Sequence, residues 1–456
     1  MPRDLKYSGT PPIVWLVSPV VKFARMDSAA GILLMVAAAL AMILANSPLS
    51  EEYKEVLNTK IALGFPGLTL FGKSLLFEYP LYYWINDGLM AMFFFVVGLE
   101  IKREMLVGEL ATRAKASLPF AAAVGGMVIP ALIYFAFNIN HPESQRGWGV
   151  PMATDIAFAV GVLALVGKGV PTALKVFLMA VAIVDDIGAV LVIALFYTEK
   201  VNMAALGLGG AMLAAMILLN FLGVRRPLWY LIPGFILWGA FMISGVHATI
   251  AGVLAAFAIP VKVRLDQKEF VARASNLLGE FETAQRMDDD IVNNQMEQHA
   301  LHNLELACEH VQPPLLRLEH AMYPWVIYFI MPIFALANAG VALGADMKEA
   351  LTSSITLGII TGLVVGKTLG VAGATFIAVK LGITTLPSGV NWRQIIGVSL
   401  LAGIGFTMSL FIGSLAFETV EQENASKLGI LIGSIIAGVL GLIFLKTSIP
   451  KPSRRH

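Results

Sequence analysis

Asp185 and Asp186 stand side by side in Met179-Ala180-Val181-Ala182-Ile183-Val184-Asp185-Asp186-Ile187-Gly188-Ala189-Val190-Leu191. The apolar run around them extends from about Thr172 to Tyr197. It has the length of a membrane-spanning helix, which needs about 20 mostly apolar residues. One Asp at mid-bilayer costs roughly 2.5–3.5 kcal/mol on insertion scales, so two together point to chemistry rather than packing. Neighbouring helix residues point about 100° apart. The two carboxylates are therefore expected to divide their roles, one facing a helix neighbour such as Lys367 and the other a water-filled cavity. Carboxylate oxygens accept either a proton or a hard cation such as Na⁺, so the two compete for the same pair.

Few other ionisable groups interrupt the apolar runs. Asp155 lies in Pro151-Met152-Ala153-Thr154-Asp155-Ile156-Ala157-Phe158, Lys367 in Gly366-Lys367-Thr368-Leu369-Gly370, and His247 in Ser244-Gly245-Val246-His247-Ala248-Thr249. Asp87 opens one run in Trp84-Ile85-Asn86-Asp87-Gly88, and Glu100 and Glu104 close it beside Lys102 and Arg103. Each is a functional-site candidate by default. Each also has a structural alternative. Asp185 with Lys367 can be a buried ion pair that holds a bundle together, and Glu100 can reach the interface and pair with Arg103. Asp87 reads as an acid of the cytoplasmic funnel or of the membrane interface. On chemistry alone His247 reads better as a satisfied core histidine.

Two runs are broken, at Thr154-Asp155 after Pro151 and at Gly403-Ile404-Gly405-Phe406-Thr407. Gly/Pro-interrupted segments in two halves of a chain mark a transporter site built where discontinuous helices meet. Exposed helix ends there carry about half a unit charge. Asp155 can offset the positive ends and Lys367 the negative ones.

These residues need elements to position them. With 57% hydrophobic and 14% charged residues among 456, the chain is far more apolar than a soluble domain. Its mean hydropathy of +0.76 agrees, and the expected class is an all-α polytopic membrane protein. A net charge of +1 gives no basic face for nucleic acid, and one cysteine, Cys308, excludes an internal disulfide and a zinc cluster. The N-terminus lacks a cleavable signal pattern, and the short apolar stretch at 13–21, interrupted by Pro19, is expected at the interface. Twelve apolar runs fall near 28–46, 81–101, 116–137, 148–167, 172–197, 203–222, 228–243, 246–260, 324–344, 355–379, 395–416 and 428–445. With twelve spans the basic clusters fall on one side: Arg3, Lys6, Lys22 and Arg25; Lys102, Arg103, Arg113 and Lys115; Arg225 and Arg226; Lys446, Lys451, Arg454 and Arg455. The positive-inside rule then makes both termini cytoplasmic. The expected layout is a cytoplasmic tail at 1–27, a twelve-helix domain at 28–448 and a second cytoplasmic tail at 449–456.

Two connections are long. Residues 47–80 include two short apolar runs around Gly64-Phe65-Pro66-Gly67, which reads as a hairpin on the outer side, either a surface flap or an edge for pairing with a second subunit. Residues 265–316 are polar and read as one or two cytoplasmic helices, with Leu277, Leu278, Phe281, Ile291 and Val292 at helical spacing. Asp288-Asp289-Asp290 lacks EF-hand spacing, and Gly362-Leu363-Val364-Val365-Gly366-Lys367-Thr368 is one residue short of a P-loop and lies in an apolar run. Nucleotide binding is not expected, nor any cofactor, and an ion gradient is the expected driving force.

Together Trp84-Ile85-Asn86-Asp87, Phe94 to Glu104, Ala153 to Ala159, Asp185-Asp186, Ser244 to Thr249, Ala337-Asn338-Ala339-Gly340-Val341, Gly366-Lys367 and Gly403 to Ser409 resemble the bacterial NhaA-type sodium/proton antiporter family. The motifs run in family order from about residue 25 to 448. The resemblance implies twelve helices, with spans 3–5 and 10–12 as inverted repeats and spans 4 and 11 broken. It assigns cation binding (Na⁺ or Li⁺) to Asp185 and Asp186, and a proton-linked contact with Asp185 to Lys367. Thr154 and Asp155 belong to the fourth-helix break, and Glu100, Glu104 and His247 to pH regulation, to which Glu319 in Leu318-Glu319-His320 is added. It further implies a homodimer joined through the 47–80 hairpin, in the inner membrane, and electrogenic exchange of two protons for one Na⁺ or Li⁺ by alternating access, serving sodium and pH homeostasis. The 265–316 segment is longer than in well-known members, and Val263-Arg264 stands where some carry Glu-Lys. A cation channel would use the same acids, but no repeated filter motif occurs. An intramembrane aspartyl protease needs its carboxylates on separate facing helices, which adjacent positions do not give.

Overall fold

The computed structural model describes residues 29–70, 73–167, 169–198, 201–263, 265–285, 294–342, 344 and 347–448. The terminal tails at 1–27 and 449–456, the stretch at 13–21, Arg264, and the 288–290 acidic run with Ile291 and Val292 lie outside the described residues. The chain is a predominantly helical, polytopic membrane protein. Each of the twelve apolar runs is helical over most of its length. They begin with α1 (Ala29–Ala45), which is followed by the polar α2 (Ser50–Asn58) and the strands β1 (Lys60–Leu70) and β2 (Lys73–Pro80). Then come α3 (Leu81–Val107), α4 (Arg113–Phe137), α5 (Pro142–Met152), α6 (Ile156–Val166) and α7 (Thr172–Phe196), followed by α8 (Met203–Phe221), α9 (Leu228–Ser244) and α10 (Ala248–Ala258). The polar α11 (Gln267–Gln285) and α12 (Gln295–Val311) precede α13 (Pro314–Asn338) and a short α14 (Met347–Thr352). The last four are α15 (Ser354–Lys380), α16 (Trp392–Leu401), α17 (Phe406–Ala416) and α18 (Val420–Ser448).

Among the described residues seven helices are singly long and apolar enough to cross a membrane, or ten with the bent pairs; α9 and α10 are apolar but shorter. The bends are 112° at α1/α2, 48° at α5/α6 and 47° at α16/α17. Lipid offers no hydrophobic drive for helices to associate, so close approach through small residues has to hold them. The closest seam joins α4 to α15. A Cβ on Gly126 would meet Val371 at 2.7 Å, and one on Gly370 would meet the Gly125 carbonyl carbon at 2.7 Å. A second seam joins α3 to α10, where a Cβ on Gly98 would meet the Ala256 methyl at 2.8 Å. The main apolar core spans α1, α3–α7, α13 and α15–α18, and a second cluster ties α8, α9 and α10 to α3 and α13.

The hairpin exists, but its turn is not at Gly64-Phe65-Pro66-Gly67. That tetrapeptide lies inside β1, and the chain reverses after Leu70, since Leu70 pairs with Lys73. Pro66 has no N–H to donate, and Gly64 and Gly67 adopt φ of 129° and 81°. The ladder therefore slips between Gly64 and Thr69, so the sequence signal for a turn marks a bulge instead. In the 265–316 segment both helices form. They pack through a small cluster of Leu265, Leu277 and Ala307, with Phe270 and Leu304 against it; Leu278 is exposed.

Among the described residues three helices contain a π turn: Trp84–Leu89 in α3, Val326–Ile330 in α13 and Gly362–Gly366 in α15. Such turns are rare and often lie at functional sites.

Candidate functional site

The register of α7 turns Asp185 and Asp186 inward, each 1% exposed. α15 brings Lys367 against them, and its Nζ forms an ion pair with Asp185 Oδ2, both side chains fully buried. Thr154, in the link between α5 and α6, puts its hydroxyl 2.8 Å from the same Asp185 oxygen and 2.8 Å from the carbonyl of Ala402 at the end of α16. A hydroxyl has one hydrogen to give, so it serves one of these acceptors at a time. Asp185 Oδ1 and both oxygens of Asp186 have no hydrogen-bond partner. Buried polar atoms are nearly always partnered, and three orphaned carboxylate oxygens in one place form a donor set that fits a proton or a hard cation. Asp185 meets the lysine and Asp186 does not.

The two breaks meet each other directly. The 3₁₀ stretch of α5 contains Pro151 and ends at Met152, Ala153 turns extended, and Asp155 becomes the N-cap of α6, its Oδ1 accepting from Phe158 N at 2.9 Å. Its Oδ2 accepts from Thr407 N at 3.1 Å and from the Thr407 hydroxyl, at the start of α17. One carboxylate thus faces the positive ends of both half-helices. In return the Asp155 backbone N–H donates to Ile404 O at 2.7 Å. Ser409 Oγ donates to Val150 O and Phe406 N to Ser434 Oγ, at 2.8 and 3.1 Å. At the negative ends two side chains reach a carbonyl, Ser409 at Val150 and Thr154 at Ala402; the bond of Lys367 goes to Asp185.

Residues 21–445 match the family model described as Na+/H+ antiporter 1. The chain is 49% identical to the Na(+)/H(+) antiporter NhaA of Oleidesulfovibrio alaskensis, over 97% of both chains. It is 47% identical to the NhaA antiporter of Wolinella succinogenes, over 93% of this chain and 92% of the relative. With the NhaA antiporter of Vibrio vulnificus it shares 46% identity, over 94% and 96%. The chain belongs to the Na+/H+ antiporter family. Members of this family are secondary transporters, not enzymes.

The remaining candidates of this antiporter-family chain separate into two places. Glu100 and Glu104 on α3 and Glu319 on α13 converge on Arg103. Its guanidinium pairs with Glu319, lies 3.0 Å from Glu104 and 3.7 Å from Glu100. Glu104 also accepts from Glu109 N at 2.9 Å, and Glu319 Oε2 is buried without a partner. One cation therefore faces three carboxyl groups. His247 is elsewhere, at the start of α10, with its Nε2 2.8 Å from Tyr197 O at the end of α7. Asp87 lies on the π turn of α3 beside Tyr83 and His247, at the hairpin end, where the Trp84 indole donates to Ile61 O. It stands at the opposite end from the 265–316 segment.

Sequence reasoning missed three contacts. Thr407 was visible only as the polar residue after a Gly-x-Gly break, and it completes the cap with Asp155. Lys102 caps the end of α10, donating to Phe257 O at 2.6 Å and Ile259 O at 2.5 Å. Asn86 and Asn338 bond to each other at 2.9 Å in the core. Nothing local in the sequence pairs residues so far apart.

Proposed function

We infer that the protein exchanges Na⁺, and Li⁺ in its place, for protons across the bacterial inner membrane. The observation that carries the reading is the set of orphaned oxygens on Asp185 and Asp186, buried where two broken helices cross and beside a buried lysine. The charge bookkeeping gives the coupling. With Lys367 protonated on Asp185 and a proton on Asp186, the site is neutral. When a cation takes the carboxylate oxygens, Asp186 and Lys367 each release a proton. Two protons then leave for one Na⁺, one charge moves per cycle, and the exchange is electrogenic. Thr154 and Asp155 hold the breaks in register while the site alternates between the two sides.

In this reading α9 and α10 also span, and together with α1, the two bent pairs α5/α6 and α16/α17, and the other seven long helices they make twelve spans. The near-equal bends of α5/α6 and α16/α17, each followed by one long helix and preceded by another, support spans 3–5 and 10–12 as inverted repeats. Both termini and the 265–316 segment are cytoplasmic, and the 47–80 hairpin joins two subunits on the outer side. Glu100, Glu104 and Glu319 around Arg103 set the pH response, with His247 a separate contributor, and no resident cofactor takes part.

The test is dissipation of a proton gradient in everted vesicles on adding Na⁺, Li⁺ or K⁺. Na⁺ and Li⁺ are expected to collapse the gradient at neutral to alkaline pH, and Asp186→Asn is expected to abolish the response while still inserting. No Na⁺-dependent proton movement at any pH refutes the reading.

A further inference from the structure

α15 is not α-helical throughout. Between Gly362 and Gly366 it widens into a π turn, and Lys367 itself closes it: its backbone N–H donates to Gly362 O, five residues back. The residue that holds Asp185 is therefore the first one past the extra residue. The turn is seated on both broken helices and on α4. A Cβ on Gly362 would meet Pro151 at 2.7 Å, just before the first break, and one on Gly366 would meet Pro130 Cα at 2.8 Å. On the other side, Leu363 Cδ2 lies 2.9 Å from where a Cβ on Gly405 would stand, in the second break.

We propose that the π turn Gly362–Gly366 is the hinge through which exchange moves Lys367, with Gly362 and Gly366 as positioning residues for the Lys367–Asp185 pair. The proposal rests on the exchange function set out above. When the Lys367 N–H passes from Gly362 O to Leu363 O, the turn tightens to α and the extra residue moves along the helix. The stretch it crosses, Lys367 first, turns by about 100° and shifts by about 1.5 Å. That withdraws the ammonium from Asp185 without unfolding α15. The charged groups facing Lys367 are Asp185 and Asp186 from α7, with Asp155 beyond them at the break. α4 faces it with the backbone of Gly126, whose Cβ position is 3.7 Å from Nζ.

Deletion of Val365, which is 43% exposed, removes the extra residue and leaves both halves of α15 in register. The full-length deletion variant is expected to insert and melt with the parent, while Na⁺-driven proton exchange in everted vesicles falls on the order of tenfold or more. Exchange within about twofold of the parent overturns the hinge. If the deletion variant fails to insert, Gly366→Ala decides, with Gly373→Ala as control, since a Cβ at Gly373 meets nothing within 4 Å. Gly366→Ala is expected to move the pH midpoint of exchange by about half a unit or more relative to that control. A rate that falls only in proportion to folded protein, with the midpoint unmoved, overturns the proposal. A parent without exchange refutes the function; an active parent with an equally active deletion variant refutes the hinge alone.

Discussion

Asp155→Asn tests how the two half-helices are held. The carboxylate accepts from Phe158 N at 2.9 Å on one oxygen, and from Thr407 N at 3.1 Å and the Thr407 hydroxyl on the other. A carboxamide keeps one acceptor oxygen and turns an N–H toward donors on the other side. It also removes the negative charge that faces two helix N-termini, worth about 0.3–1 kcal/mol each and up to about 2 when buried. A lost charge-assisted bond adds about 1.5–3 kcal/mol. Together the substitution is expected to cost about 3–5 kcal/mol. Thermal unfolding of the detergent-purified chain at one fixed scan rate measures it. Thr407→Val removes only the hydroxyl contact and is expected to cost about 1 kcal/mol. Asp155→Asn melting with the parent, or above Thr407→Val, refutes the account of Asp155 as a shared cap.

Lys367→Ala strips the partner from a fully buried carboxylate, which typically costs about 3–5 kcal/mol. It is expected to lower the melting temperature and to alter the pH dependence of exchange; an unchanged melting temperature counts against the structural half. Gly370→Val forces a methyl-bearing carbon to 2.7 Å from the Gly125 carbonyl carbon and closer still to its oxygen, and overpacking of this kind costs about 1–3 kcal/mol or more. Gly373→Val on the same helix, in open space, is expected to melt with the parent, and equal melting of the two variants refutes the tight α4–α15 seam.

The fold was legible where the sequence carries a physical contradiction or a period. Twenty apolar residues in a row have few alternatives in lipid, and charges inside them must be satisfied, so the helices and the Asp185–Lys367 contact could be read directly. The broken segments announced themselves through Pro151 and the Gly403-Ile404-Gly405 run. What could not be read depends on which helix faces which. Arg103 looked like a partner for Glu100, yet its guanidinium lies nearest Glu319 from α13. The Gly64-Phe65-Pro66-Gly67 signal was real, but a bulge and a turn ask for the same residues. The π turn before Lys367 has no sequence period of its own, because one extra residue in a long apolar helix leaves the hydropathy pattern almost unchanged.

The Thr154 hydroxyl oxygen lies equally far from two acceptor oxygens, the Ala402 carbonyl at a neighbouring helix end and the charged Asp185 carboxylate, and has one hydrogen to give. A branch with one donor and two equal claimants cannot settle both, so the crossing point of the chain is left with a built-in disagreement. Whatever satisfies Asp185 by other means hands that hydrogen to Ala402. A local shortage of one proton thus makes the ligation of a side chain and the closure of a helix end alternatives to one another.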